Sequence, residues 1–489
     1  MIKVLIVDLN NFARYPTLAI AYLIEPLRRA GLHVDVLSPL TIGAPSIERE
    51  KAENWREHLK RRVNFSTSPV MQKLHEPLRK AHSQWQSSPH KPTLKAVSEW
   101  LDENEPDVIL LSAYLDHYPV VKEIAQRARL QDIPLLLGGP AFSTRETINQ
   151  WQDIDGVTAI FAGEADLIIA DLVKDAIQRK DLAVKSGVFV KGRKDLGIAS
   201  PLTDLDRLPI PDFDDFAWDD YPHRIIPVMT GRGCSWGVCT FCSDVTTSNG
   251  RTFRSRSLKS VLNELQVQSA RYNCKDFIFL DLKLNSNLEV WHGLIENFQK
   301  IIPGVRWIGT VHVNAQGDNG LDYETLCAAK QAGLTRVSFG LESASDKLTR
   351  RMGKGTRVKS NQQFVQDAHR AGLSVRCSMM LGYPGETHED LELTREFLDE
   401  HFEQFDRVRP ARFKAIPGTR FEQLYENRPT RFNGIKVINW DHRYARAAYE
   451  YKPAIEPSYR KTKRDILGLV HQINRKPLRD DAIQFDGLM

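Results

Sequence analysis

Long apolar runs are missing from this chain. None approaches the ~20 residues that a bilayer-spanning helix needs. The longest, such as DVILLSAYL from Asp107, have the length of a strand. A charged leader followed by an apolar core is missing too. The opening MIKVLIVDLNN reads as a strand, so no signal peptide is expected and the location is expected to be cytoplasmic. Charge of one sign is scarce. Lys and Arg number 67 against 62 Asp and Glu, a formal net charge of +5 spread over 489 residues. That is too little to argue for nucleic acid or a membrane surface as a partner. Glycine (29) and proline (25) are too few for a collagen-like or low-complexity chain. Only six cysteines are present, which excludes the dense disulfide framework of a small secreted domain.

What is present is ordinary globular composition, 42% hydrophobic and 26% charged. At about 150 residues per domain the length suggests two to four domains. The first part alternates strands and helices. Residues 2–8 (IKVLIVD) and 33–40 (HVDVLSPL) read as strands flanking a helix over 17–31 that Gly31 closes. Strands follow at 107–114, 134–141 and 158–166, each leading into a helix. The expected fold class is α/β: an N-terminal Rossmann-like, doubly wound parallel sheet over residues 1–199. A polar stretch, about 45–104, interrupts it and reads as a helical surface insertion. Residues 200–222, rich in Pro and Asp, form a linker.

From 223 to 425 six further strand–helix steps appear, with strands at 225–232, 276–281, 306–313, 336–342, 374–381 and 407–415. They predict a (β/α)6 partial TIM barrel with its chemistry at the C-terminal strand ends. Residues 426–489 form a small C-terminal extension. Its Trp440, Tyr444, Tyr449, Tyr451 and Tyr459 suit surface packing or a substrate site.

Three of the six cysteines, Cys234, Cys239 and Cys242, fall in GRGCSWGVCTFCSD as C-x4-C-x2-C, just after the first strand of the second series. Structural zinc would want a fourth Cys or His close by, and none is. Three thiolates suit a [4Fe–4S] cluster with one iron open to a small ligand. On spacing alone a cluster, zinc and coincidence all stay open. Cys377, on a strand, reads as a small apolar filler or as a group pointing into the barrel.

These motifs together resemble the radical S-adenosylmethionine enzymes that carry an N-terminal cobalamin-binding domain. The resemblance rests on GRGCSWGVCTFC, FIFLDLKLN (277–285), FGLESASDKLTRRMGKGT (339–356), LGYPGET (381–387) and the linker PLTDLDRLPIPDF, in that family's order, and extends to about residue 420. One departure is the extra residue between the first two cysteines, where the family usually has C-x3-C-x2-C. The resemblance implies a [4Fe–4S] cluster on Cys234, Cys239 and Cys242. It also implies S-adenosylmethionine, cleaved to a 5′-deoxyadenosyl radical, and a cobalamin. The activity implied is methylation of an unactivated carbon of a small molecule or peptide, with an external electron donor such as a flavodoxin or ferredoxin. Cyclisation or rearrangement, and an iron–sulfur sensor or scaffold, are the alternatives.

By position, the resemblance sets Phe241 against the adenine and Asp281 at the methionine ammonium. Glu342 and Ser343 would meet the ribose, and Gly382, Pro384 and Gly385 would form a turn near the cofactor. Read as structure alone, Phe241 is core packing, Ser343 a helix cap and the glycines a tight turn. Cobalamin contacts would be Asn10, Asn11, Pro16, Ser112, Tyr114, Leu115, Gly138, Gly139, Gly163, Glu164 and Ala165. D-x-H-x-x-G is absent, so His117 reads as an ordinary loop histidine and no histidine is expected on cobalt.

Overall fold

The computed structural model describes residues 2–10, 14–44, 52–66, 90–243, 253–432, 434–442, 446–451 and 456–488. The opening apolar run becomes β1 (Lys3–Asp8), buried from Val4 onward, as a strand covered on both faces must be. It is joined by β2 (His33–Leu37), β3 (Val108–Ser112), β4 (Leu135–Gly138), β5 (Ala159–Phe161) and β6 (Val188–Phe189) in the order β2-β1-β3-β4-β5-β6. The first five strands are parallel, while β6 closes the edge antiparallel to β5. Helices Leu18–Arg29 and Ile169–Ile177 pack on one face and Tyr118–Leu130 and Arg145–Trp151 on the other. The order reverses between β1 and β3, the place where doubly wound sheets take ligands.

Part of the expected insertion belongs to this core. Helix Lys91–Asn104 buries Thr93, Val97 and Leu101. It is the crossover that two parallel strands require between them. Helix Trp55–Asn64, by contrast, has no buried residue. It is held at its start by Asn54, whose side chain accepts from Arg56 and Glu57. Residues 45–51 and 67–89 of the stretch, and Asn11, lie outside the described residues.

The Asp-rich linker is pinned by arginines. Arg28 reaches Asp212 at 2.8 Å and Asp215 at 2.7 Å, while Arg271 reaches Asp212 at 3.0 Å and also pairs with Asp214. Leu205, Leu208, Phe213 and Phe216 of the linker are buried.

The second series opens with β7 (Ile226–Val228). A short antiparallel ribbon follows, β8 (Gly231–Arg232) with β9 (Arg254–Ser255), from which the cysteine segment springs. Then come β10 (Asp276–Phe279), β11 (Arg306–Val311), β12 (Leu334–Glu342), β13 (Ser374–Leu381) and β14 (Arg407–Arg412). With β7 these five form one six-stranded parallel sheet in sequential order, β7-β10-β11-β12-β13-β14. This is the six-step partial barrel. Cys377 is fully buried, in register with Phe339 of β12 and in the same apolar cluster as Phe364 and Phe397 of the covering helices.

The extension is more structured than its composition suggested. A hairpin, β15 (Ile435–Asp441) with β16 (Arg446–Tyr451), precedes helix Pro457–Arg475. Tyr459, Ile466, Leu467, Val470 and Ile473 of that helix are buried at helical spacing against helix His388–Glu400 and β14. The chain then turns under the barrel. Phe485 and Leu488 pack on Ile225, Ile278 and Ile308, and the buried Arg336 donates from Nη1 to the Phe485 carbonyl at 2.8 Å. Arg14 reaches the Asp486 carbonyl from the first domain at 3.1 Å. No helix among the described residues is long and apolar enough to cross a membrane.

Candidate active site

The cysteine loop is tied at its root and along its length. At the root, Asp281 accepts from Thr230 N, Thr230 Oγ1 (2.7 Å) and Gly231 N (3.0 Å). Burial raises its carboxyl to about 6, against the pull of those donors. Its oxygens are thus engaged by the loop root rather than turned to the barrel mouth. Further along, Trp236 Nε1 donates to Gly353 O at 2.8 Å. Thr240 N donates to Met352 O at 2.8 Å, and Thr240 Oγ1 lies 2.8 Å from the Tyr383 hydroxyl. The Met352-Gly353-Lys354-Gly355 segment is where the loop rests. A Cβ on Gly355 would stand 2.2 Å from the Trp236 ring, and one on Gly353 2.8 Å from Val238 O. Both glycines have positive φ, so nothing larger lets these backbones lie together. Cys234, Cys239 and Cys242 are half-buried on this platform. Three thiols on one loop, with no histidine and no fourth cysteine in it, form a donor set that fits an iron–sulfur cluster with one open iron.

Beside the thiols sits a residue that the sequence reading did not single out. Lys354 is buried, and its Nζ lies 3.3 Å from Glu342 Oε1. Burial alone would lower the ammonium, yet Glu342, Cys239 and Cys242 hold it above the usual lysine range. Burial pushes the Cys239 thiol up, against the pull of Lys354. Glu342 has φ of 59°, in the left-handed region, where β12 slips register against β13. Such a backbone costs ~1–3 kcal/mol in a non-glycine residue and is kept where surrounding contacts impose it. His312, past the end of β11, faces the same space. Its ring lies 6.1 Å from that of Trp236, and its Nε2 is buried without a hydrogen-bond partner. Burial, with Lys354 and Lys283 beside it, drives it down to about 3, so the imidazole is neutral.

Other expected residues fall on both sides of the mouth. Phe241 is half-buried against the cluster that holds Leu348, Met352 and Tyr383. Ser343 turns inward, 3.3 Å from Thr394 Oγ1, and accepts from Ser345 N at 3.1 Å. The cap of helix Asp346–Met352 is Ser345 rather than Ser343. Gly382 and Gly385 bracket Pro384 in a turn where both adopt positive φ. A Cβ on Gly385 would meet Arg351 Nη1 at 2.3 Å.

Glu386 closes this turn from below, accepting from Gly382 N at 2.8 Å and the Tyr459 hydroxyl at 2.6 Å. Burial raises its carboxyl from 4.5 to about 7. The native chain therefore holds this proton more tightly than the unfolded one. The stability from this group is full below about pH 4.5 and is lost as pH rises to 7. Glu386→Gln is expected to remove that slope, a few kcal/mol at most. Urea midpoints of wild type and variant between pH 5 and 8 check it, and parallel pH profiles would dismiss it.

At the ligand edge of the first sheet, Asn10 is fixed by Asp8, which accepts from its backbone at 2.9 Å. Gly139 comes so near that a Cβ would lie 2.8 Å from Ser112 Oγ, whereas Gly138 has room. A Cβ on Gly163 would strike Ala199 at 2.7 Å. Tyr114 is 44% exposed at this edge. Glu164 does not stand open there. Arg254 holds it at 2.7 Å and Arg232 at 3.3 Å, and Arg232 also holds Asp166 at 2.8 Å. These two arginines stand at the two feet of the cysteine loop.

Comparison with known proteins gives three findings. Residues 228–398 match the radical SAM superfamily. Over 343 residues the chain is 28% identical to an uncharacterized methyltransferase of Pyrococcus horikoshii, spanning 67% of this chain and 71% of that protein. Among solved structures, the radical S-adenosylmethionine methyltransferase TsrM from Kitasatospora setae, bound to tryptophan and a SAM analog, aligns with TM-score 0.66. That alignment has 16% identity and covers 96% of this chain and 88% of that one. The cobalamin-dependent S-adenosylmethionine radical enzyme OxsB aligns with TM-score 0.67 at 15% identity, covering 92% of this chain and 64% of that one. At such identities the two structures establish a shared fold through both domains.

Proposed function

We propose, proceeding from the match of residues 228–398 to the radical SAM superfamily, that the chain is a radical SAM enzyme that uses cobalamin to methylate an unactivated carbon of a small molecule or peptide. The observation that carries this reading is the joint between the sheets. Arg232 and Arg254, at the feet of the cysteine loop, bind Glu164 and Asp166, which follow β5. The edge where a doubly wound sheet takes its ligand is thereby held against the cysteine loop. TsrM is a methyltransferase and OxsB binds aqua-cobalamin, and both share this two-domain arrangement.

Cys234, Cys239 and Cys242 would hold a [4Fe–4S] cluster, which with an electron from a flavodoxin or ferredoxin supplies radical cleavage of S-adenosylmethionine, cobalamin carrying the methyl group. Lys354 offers its ammonium to the carboxylate of S-adenosylmethionine, and Glu342 accepts from the ribose hydroxyls. Phe241 gives the adenine an apolar face. Asp281 and Ser343 act as positioning residues, one through the loop root and the other through Thr394 and Ser345. Ser112, Tyr114, Gly138 and Gly139 form the floor for the flat ring, and Asn10 its border.

His117 is not offered to cobalt. Its Nδ1 accepts from Tyr114 N at 3.2 Å, and burial with His90 nearby drives the ring down to about 4. Reconstituted protein passed through gel filtration should retain one cobalamin per chain, and His117→Ala should leave the bound spectrum unchanged. Reduced cobalamin on the protein should acquire a methyl group from S-adenosylmethionine without added substrate, read from its absorbance. Failure to retain cobalamin would overturn the proposal.

A further inference from the structure

Away from the barrel mouth, Glu53, His58 and His471 each present one ligand atom, all within 4.8 Å of one another. They come from opposite ends of the chain. Glu53 and His58 belong to the arm that follows β2, and His471 lies on helix Pro457–Arg475. Glu53 is 4% exposed. Its Oε2 is occupied, by Arg61 Nη1 at 2.5 Å and Asn474 Nδ2 at 3.4 Å. Its Oε1 is buried with no hydrogen-bond partner, and so are Nδ1 of His58 and Nδ1 of His471. His471 Nδ1 stands 3.8 Å from Glu53 Oε1, too far for a hydrogen bond, and the imidazoles stack with centroids 4.3 Å apart.

Three buried polar atoms that converge without pairing are each costly, by about 1–3 kcal/mol. One cation satisfies all three. Two imidazole nitrogens and one carboxylate oxygen form the borderline donor set that suits zinc, with a water in the fourth position. Arg61, on the opposite oxygen, keeps Glu53 Oε1 turned inward. We propose that Glu53, His58 and His471 bind a zinc ion that clips the arm of the first domain to the C-terminal helix. The clip continues to the barrel. Glu53 N donates to Asn474 O at 3.1 Å, and the Asn474 side chain exchanges hydrogen bonds with Val408 of β14 at 2.8 and 2.9 Å.

The test uses full-length protein reconstituted with iron and sulfide, dialysed against zinc and assayed for both metals. Expected are one zinc per chain and a zinc-edge absorption spectrum with a nitrogen–oxygen shell only. His58→Ala and His471→Ala should weaken zinc binding by more than the ~10–100-fold that loss of an outer-shell partner costs. Iron content should be unchanged in both. His58 lies on a helix with no buried residue, so that variant keeps the fold. Absence of zinc, a sulfur shell that places zinc on the cysteine loop, or undiminished affinity in both variants would overturn the proposal.

Discussion

Replacing Cys234, Cys239 or Cys242 by alanine is expected to abolish the broad absorbance near ~400 nm that thiolate-bound iron–sulfur clusters give, and with it all cleavage of S-adenosylmethionine. No spare ligand stands by, because the loop contains no other cysteine or histidine. Metal-site affinity is shared among ligands, so losing one of three forfeits most of it. Cys274 and Cys377 are buried in packing roles, and Cys327 lies on helix Tyr323–Gln331. Alanine at these three positions should leave iron, sulfide and cleavage at wild-type levels. Iron and sulfide assays beside 5′-deoxyadenosine formation read the outcome. Wild-type iron in a variant lacking all three loop cysteines would remove the cluster from this loop.

Lys354→Met should produce the second largest effect. It leaves Glu342 buried beside a neutral side chain. Breaking a buried ion pair by removing one partner costs ~3–5 kcal/mol. S-Adenosylmethionine should bind at least ~100-fold more weakly, the loss of one charge-assisted contact of about 3 kcal/mol. Glu342→Gln keeps shape and one acceptor and should be milder than Glu342→Ala, for which roughly 1.5–3 kcal/mol of binding is at stake. The double variant Glu342→Gln with Lys354→Met should be less destabilised than the sum of the singles, because each group is costly chiefly without the other. Urea unfolding and titration of S-adenosylmethionine, with iron assayed in parallel, decide the matter. Unchanged stability and affinity in Lys354→Met would end the assignment, and lost iron would make this pair part of the cluster's support.

The residues that announced themselves in the sequence did so through local pattern. Parallel strands buried on both faces are continuous apolar runs, so IKVLIVD and DVILLSAYL could be read directly. The cysteines stood out because three of the six fall within nine residues, although their spacing alone left a cluster, zinc and coincidence open. Lys354 was not, since a lysine between two glycines reads as a solvated turn. It is the fold that brings Glu342 to its ammonium and packs Trp236 over the neighbouring Gly355. Glu164 at a strand end looked like a ligand contact, yet the arginines that claim it lie on the other domain. β6 has only two residues, too few for a periodic signal. The Glu53–His58–His471 cluster had no sequence signature, because its members meet only when the arm and the last helix fold together.

The floor of the barrel has a consequence for how the chain reaches its native state. Arg336 lies among the first residues of β12, yet the carbonyl it binds belongs to Phe485, 149 positions later, and Arg14 waits for Asp486 across 472 positions. Contacts of such span carry a loop-closure cost that must be met before they stabilise anything, and they slow folding. On the ribosome, the six strands are complete before residues 480–488 emerge. In that interval Ile278 and Ile308 lack the Phe485 and Leu488 side chains that pack on them. A nascent chain with apolar residues uncovered in this way is a natural client for chaperones. Mutations that loosen the Phe485–Leu488 plug should therefore act first on soluble yield, well before they touch the chemistry at the opposite end of the barrel.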